Sequence, residues 1–110
     1  MQEKILMTEE YVAVGQLGDF PPGAKKKVRA GDEDVLVVNI AGTLCAISDV
    51  CTHRGCSLSE GAVEAMEVTC PCHSGRFDLL TGKVTAPPPR KDAATYDVRI
   101  EGSNVLVKRR

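Results

Sequence analysis

Short stretches in which apolar and polar residues alternate make up most of this chain. A period of two is typical of β-strands that have one face in a core and one in water. Predicted strands cover residues 11–14, 27–30, 34–40, 43–48, 67–69, 76–78, 95–100 and 104–108. Helical patterns are scarce, so the chain is predicted to be all-β.

Two of these strand pairs are predicted to form hairpins. The segment VLVVNIAGTLCAIS turns about Ala41 and Gly42, and YDVRIEGSNVLVK turns about Gly102 and Ser103. Both segments keep their alternation on each side of a tight turn, which favours antiparallel pairing. With 110 residues, a single domain over residues 1–110, built of antiparallel sheets, is expected.

Composition and charge exclude several functions. Hydrophobic residues make up 43% of the chain and aromatic residues 4%, so an aliphatic core is expected. Fourteen lysines and arginines oppose fifteen acidic residues, which is not the basic footprint of a nucleic-acid-binding protein. The first ten residues lack an apolar run of signal-peptide length, and no later segment is suited to span a bilayer. We expect no membrane binding and a cytoplasmic location.

Two short motifs carry the candidate chemistry: CTHRGC at residues 51–56 and CPCHSGRF at residues 70–77. Cys51 and His53 are two residues apart, and Cys70 and His73 are three apart. Two cysteines and two histidines suit either a structural zinc ion or a [2Fe–2S] cluster. The order Cys, His, Cys, His is unlike that of zinc fingers, which favours the cluster. Two thiolates neutralise the doubly positive oxidised core of the cluster, and neutral imidazoles make its reduction easier than two further thiolates would.

These motifs, with Leu58, TGK at 81–83 and prolines at 87–89, give the chain its family resemblance. It resembles the soluble Rieske ferredoxins, which carry electrons to ring-hydroxylating oxygenases and related redox systems. The resemblance implies one [2Fe–2S] cluster in a small β-subdomain over approximately residues 49–90. It assigns one iron to Cys51 and Cys70 and the outer iron to His53 and His73. It also implies that the proline segment covers the cluster.

Further positions depart from the usual ferredoxin pattern. Cys56 and Cys72 stand where high-potential Rieske proteins carry a disulfide between the ligand loops, so the resemblance implies a bridge here, with two reduced thiols as the alternative. Gly75 and Phe77 replace a serine and a tyrosine that donate hydrogen bonds to the cluster in that class. We therefore expect a lower potential than in quinol-oxidising proteins. Gly75 is also expected to be a turn residue with positive φ.

The remaining candidates have structural interpretations. Cys45 is expected to be a small core residue, and Asp49 and Asp78 are expected to form turns rather than bind metal. Arg54 and Arg76 lie within three residues of a predicted ligand histidine. They either frame the imidazoles for an acidic partner or form salt bridges within the domain.

The predicted function is one-electron transfer without catalytic residues. The carrier would take electrons from a flavin-dependent reductase and pass them to a terminal oxygenase or another redox enzyme. One alternative is a small Rieske redox subunit of a larger oxidoreductase, such as nitrite reductase. A zinc-stabilised interaction module is a third class.

Overall fold

A computed structural model describes residues 11–72 and 74–110. Within these residues, ten strands and two short 3₁₀ helices form the fold, and the helices are Leu17–Asp19 and Leu58–Glu60. The strands are β1 Val12–Gln16, β2 Lys25–Ala30, β3 Glu33–Ile40, β4 Thr43–Ser48, β5 Val63–Glu64, β6 Glu67–Thr69, β7 Arg76–Asp78, β8 Val84–Ala86, β9 Thr95–Glu101 and β10 Asn104–Arg109. The predicted all-β fold is confirmed.

All eight predicted strands are present, with ends displaced by no more than two residues. Strands β5 and β8, with two and three residues, were not predicted. The β5–β6 turn contains Ala65 and Met66 at φ of 52° and 67°. Two-residue turns of this kind normally carry glycine or asparagine, and neither residue is present at this turn.

The larger sheet has six strands in the order β1-β10-β9-β4-β3-β2. Both predicted hairpins are confirmed. Ile40 is paired with Thr43 across Ala41 and Gly42, and Glu101 is paired with Asn104 across Gly102 and Ser103. Asn39 fixes the first turn: its side-chain oxygen accepts a hydrogen bond from the Gly42 N–H at 2.7 Å.

Strand β3 separates two cores. Val35 and Val37 pack into a core inside the larger sheet, whereas Leu36 and Val38 pack into a second core. All four side chains are at most 2% exposed. A strand buried on both faces has a continuous apolar run instead of strict alternation, which explains the sequence VLVV. The second core contains the first cysteine of each motif, Cys51 and Cys70.

The smaller sheet holds the motif loops. Its four antiparallel strands have the order β5-β6-β7-β8, and the whole sheet lies between β4 and β9 in the chain. The CTHRGC loop follows β4, and the CPCHSG loop connects β6 to β7. Both motif loops therefore belong to one inserted unit. Over the described residues, no helix has the length and apolar character needed to cross a membrane.

Asp78 closes the turn that follows β7. Its Oδ1 accepts hydrogen bonds from the N–H groups of Leu80 at 2.8 Å and Thr81 at 2.9 Å. These bonds, led by that from Thr81, lower the pKa of the Asp78 carboxyl below its ordinary value. The expectation of a turn-forming aspartate is confirmed at this position.

We expect Asp78→Asn to be less stable than the wild type at neutral pH, and the difference to vanish in acid. The folded-state pKa lies below the unfolded value near 3.8, so the charged carboxylate stabilises the fold above that pH. This contribution is lost as the pH falls through the folded pKa. Thermal unfolding of both proteins across an acid series checks this. A difference in melting temperature that stays constant into strong acid would contradict it.

Candidate metal centre

Each motif loop is closed by hydrogen bonds to its first cysteine. In the first loop, the Cys51 N–H donates to the Cys56 carbonyl at 2.9 Å, and the Gly55 N–H donates to the Cys51 carbonyl at 2.8 Å. Gly55 has φ of 78°, a conformation that glycine adopts without steric cost. The chain thus turns sharply around Cys51.

The second loop repeats this closure position by position. The Cys70 N–H donates to the Gly75 carbonyl at 2.6 Å, and the Ser74 N–H donates to the Cys70 carbonyl at 3.0 Å. Ser74, at φ of 63°, occupies the place of Gly55. The predicted positive φ at Gly75 was therefore wrong, because the left-handed residue is Ser74.

The two loops bring the first cysteines together. Cys51 is 2% exposed and Cys70 is 3% exposed, and the two thiols lie close enough together for Cys70 to affect the pKa of Cys51. Burial raises the pKa of the Cys51 thiol, with a further increase from Cys70, while the N–H groups of His53 and Arg54 act in the opposite direction. The two N–H groups point at the sulfur and would stabilise a thiolate there.

A disulfide joins the loops beside this thiol pair. Cys56 and Cys72 are bonded with a Cα–Cα distance of 6.4 Å, so the bridge implied by the sequence is present. The sulfurs of Cys56, Cys70 and Cys72 lie within 4.8 Å of one another. Because two of the three are in the disulfide, they offer no thiolate to a metal. Cys45 is buried and has no disulfide, as expected of a core residue.

Of the two predicted histidines, His53 is the one that the structure describes. His53 is exposed and lines a surface cleft of about 450 Å³ together with Thr52, Pro88, Arg90 and Lys91. His73 lies outside the described residues, so its predicted role as a ligand stays a prediction. The described part of the centre thus has sulfur donors inside and an imidazole at the surface.

The proline segment packs directly on the second loop. A Cβ atom built at Gly75 would lie 2.6 Å from Pro89 Cγ and closer still to Cδ. Gly75 and Pro89 are both buried. Any side chain at position 75 would push the segment away from the loop. Glycine is required here because the Pro89 ring lies against the backbone of residue 75, a constraint that no sequence motif signals.

Asp49 anchors the start of the first loop. Its carboxylate is 2% exposed and accepts hydrogen bonds from the Ser59 N–H at 2.7 Å and from the Ser57 hydroxyl. The Asp49 carbonyl accepts a third bond, from the Leu58 N–H at 2.7 Å. The Asp49 side chain therefore bonds residues 8 and 10 positions further along the chain instead of closing a local turn, and it holds the segment that follows Cys56.

The two arginines near the predicted ligands differ. Arg76 lies 3.7 Å from the Glu67 carboxylate on the neighbouring strand, which favours the interpretation of a salt bridge within the domain. Arg54 is exposed, and no carboxylate of the described residues forms an ion pair with it.

The donors fit a [2Fe–2S] cluster better than an isolated zinc ion. Two buried thiolates side by side require a compensating positive charge, which the core of such a cluster supplies. Zinc would draw the imidazoles and thiolates around one atom, whereas this centre separates a buried sulfur pair from an exposed imidazole. The geometry therefore suits a binuclear group with one buried and one outer metal.

We expect Gly75→Ala to destabilise the protein by about 1–3 kcal/mol, the usual cost of overpacking a tight site. Gly18→Ala is the matched control, because nothing lies within 4 Å of a Cβ there. Thermal unfolding is the measurement. In the double variant Gly75→Ala/Pro89→Ala, part of the stability should return, and its absence would show that the Pro89 contact is not the cause.

Replacing Cys56 and Cys72 together by serine should also destabilise the fold. A bridge across a sequence separation of 16 is worth about 3 kcal/mol in the chain-entropy model. A phosphine reductant should lower the melting temperature of the wild type towards that of the variant and leave the variant unchanged. Alkylation of residues 56 and 72 in unreduced wild-type protein, detected by mass spectrometry, would refute the bridge.

Comparisons with known proteins agree with this centre. Residues 10–97 match the family model of the Rieske [2Fe-2S] domain. The ferredoxin component of the naphthalene 1,2-dioxygenase/salicylate 5-hydroxylase systems of a Ralstonia species is 35% identical over 102 residues. That alignment covers 93% of this chain and 98% of the relative.

Solved structures give the same result. The ferredoxin of carbazole 1,9a-dioxygenase from Nocardioides aromaticivorans IC177 superposes with a TM-score of 0.85 at 34% identity, covering 91% of this chain and 98% of that one. A chain from a complex of reduced oxygenase and oxidised ferredoxin in carbazole 1,9a-dioxygenase has a TM-score of 0.83 at 29% identity, covering 91% of this chain and 94% of that one. The chain belongs to the Rieske [2Fe-2S] domain family, with the ferredoxin components of dioxygenase systems among its relatives.

Proposed function

We propose that this protein is the ferredoxin component of an oxygenase system, passing single electrons to a terminal oxygenase. It is an electron-transfer protein of the Rieske type and carries a [2Fe–2S] cluster. The near-complete alignment with ferredoxin components of dioxygenase systems carries the proposal. A relative of this kind has also been solved in a complex of oxygenase and ferredoxin, which supports the oxygenase as the partner.

We also propose the four ligands predicted from the sequence. Cys51 and Cys70 would hold the buried iron, since their sulfurs are adjacent and buried. His53 and His73 would hold the outer iron, and exposed His53 would form the edge through which electrons leave. The cluster supplies the one-electron couple. The chain positions the thiols, directs N–H groups at Cys51 and packs Pro89 against the second loop.

Three finer points remain predictions. A flavin-dependent reductase is the proposed electron donor, and a cytoplasmic location is expected from the sequence alone. A potential below that of quinol-oxidising Rieske proteins is predicted because Phe77 offers no hydroxyl. Phe77 is fully buried, in the core that also contains Cys51 and Cys70, so its ring is close to the proposed site.

The ligand assignment predicts that the cluster is lost when Cys51 is replaced and kept when Cys45 is replaced, although both cysteines are buried. Cys51→Ala and His53→Ala should each abolish the Rieske signal in the reduced-state EPR spectrum, because one iron loses half of its protein ligands. Cys45→Ala is the matched control, since Cys45 is buried but lies outside both loops, and it should retain the signal. A native spectrum from either ligand variant would refute the assignment.

Electron transfer to an oxygenase tests the function. The reduced holoprotein is mixed without oxygen with the oxidised oxygenase components of naphthalene and carbazole dioxygenases. Reoxidation of the ferredoxin, followed by visible absorption, should be stoichiometric with at least one of them. The matching ferredoxin of each system serves as the positive control. Transfer to neither oxygenase, with both controls active, would contradict the proposed partner class.

A further inference from the structure

Two cationic side chains line the cleft at His53, and a third is adjacent to His53 in the chain. Arg90 and Lys91 line the cleft with His53, and Arg54 is the next residue along the first loop. All three are exposed. The Thr52 hydroxyl donates to the Lys91 carbonyl at 2.5 Å, so the segment that carries Arg90 and Lys91 is tied to the first loop. We call Arg54, Arg90 and Lys91 the basic rim.

Within the part of the chain that the structure describes, the positive charge of the basic rim is not paired with carboxylates. Among the described residues, no carboxylate forms an ion pair with any of the three cations. Asp92 follows Lys91 in the chain, but its Oδ1 accepts a hydrogen bond from the Val84 N–H at 3.0 Å. It is a single negative charge next to three positive charges.

The rest of the chain has the opposite charge. The formal net charge of the protein is −1, so the part outside the rim carries an excess of acidic residues. A local group of positive charges on a protein of net negative charge orients charged partners during approach and accelerates productive encounters.

We propose that the basic rim docks an acidic surface of the terminal oxygenase and places His53 against it. This inference rests on the proposed function, because it takes the oxygenase as the partner. The cations lie next to the proposed exit edge for electrons, so a partner held by them is also held at the distance that electron transfer requires. Arg90 and Lys91 line one cleft and Arg54 is adjacent to His53 in the chain, and charges closer together than the Debye length, about 8 Å at physiological ionic strength, act together.

The charges and residue types at the rim favour a protein over a nucleic acid as the partner. The rim has three cations, the chain has a pI near 6.1, and no aromatic side chain lines the cleft. Nucleic-acid sites combine more extensive basic surfaces with aromatic stacking. An acidic patch on a protein needs only a few complementary cations and yields the expected dependence on salt.

The first test needs no protein partner. The reduced holoprotein is oxidised by the anionic cobalt(III)–EDTA complex or by the cationic hexaamminecobalt(III) ion. Each reaction transfers one electron from the protein to cobalt, which becomes Co(II). The variants are Arg54→Gln/Arg90→Gln/Lys91→Gln and the control Lys27→Gln, which removes an exposed cation from β2. For each oxidant, the rate constant of each variant is compared with that of the wild type.

In the rim variant, the rate constant for the anionic oxidant should fall relative to that for the cationic oxidant by about tenfold at low ionic strength. The difference should disappear at high salt, and Lys27→Gln should stay within twofold of the wild type. Equal slowing of both oxidants would mean that the substitutions disturb the cluster and not the field, which would overturn the proposal.

The second test uses the oxygenase that accepts electrons from the wild type. The rim variant should transfer electrons to it about tenfold more slowly at low salt, with an unchanged reduction potential, and Lys27→Gln should not. Undiminished transfer by the rim variant would overturn the acidic docking surface and leave the function intact. If no oxygenase accepts electrons from the wild type, the proposed function fails. The ratio of the rate constants for the anionic and cationic cobalt oxidants still decides whether the rim attracts anionic partners.

Discussion

The contact between the Cys51 and Cys70 sulfurs is the constraint on which the rest of this structure depends. Bringing two buried thiols from separate loops together places the two proposed thiolate ligands in a low-dielectric core, where their charges would be costly without a positive charge nearby. The protein offsets part of this cost with N–H groups aimed at Cys51. The remaining compensation must come from the metal centre, so cluster binding and loop folding are linked.

Several contacts hold the two loops in position before any metal contributes. The Cys56–Cys72 disulfide connects them directly, and Asp49 fixes the chain after the first loop through Ser57 and Ser59. Pro89 packs against Gly75 on the second loop. Each contact is made by a residue next to, and not within, the proposed ligand set. The ligand side chains are thereby left to coordinate metal while their neighbours determine the geometry.

Sequence patterns predicted the repetitive part of the fold well because alternation is a local property. Strands β4, β6 and β7 were predicted at their observed ends, and both hairpins had a glycine at the turn. The β5–β6 hairpin was missed because Ala65 and Met66 adopt left-handed conformations that tertiary contacts, not local preferences, impose. The contact of Gly75 with Pro89 joins residues 14 apart, and no periodicity reports such an approach. For the same reason Arg90 and Lys91 were not recognised as neighbours of His53.

This chain has the disulfide between the ligand loops but has Phe77 where high-potential Rieske proteins have a hydrogen-bonding tyrosine. Loop closure and hydrogen bonding to the cluster are therefore separate properties. The bridge constrains the loops through chain entropy, an effect on folding that does not require a hydroxyl near the cluster. The potential depends instead on hydrogen bonds that stabilise the added electron, and neither Gly75 nor Phe77 can donate one from its side chain. A chain can therefore have the loop closure of one class and the redox chemistry of another. The bridge by itself is evidence about stability, and the residue at position 77 is the better indicator of potential.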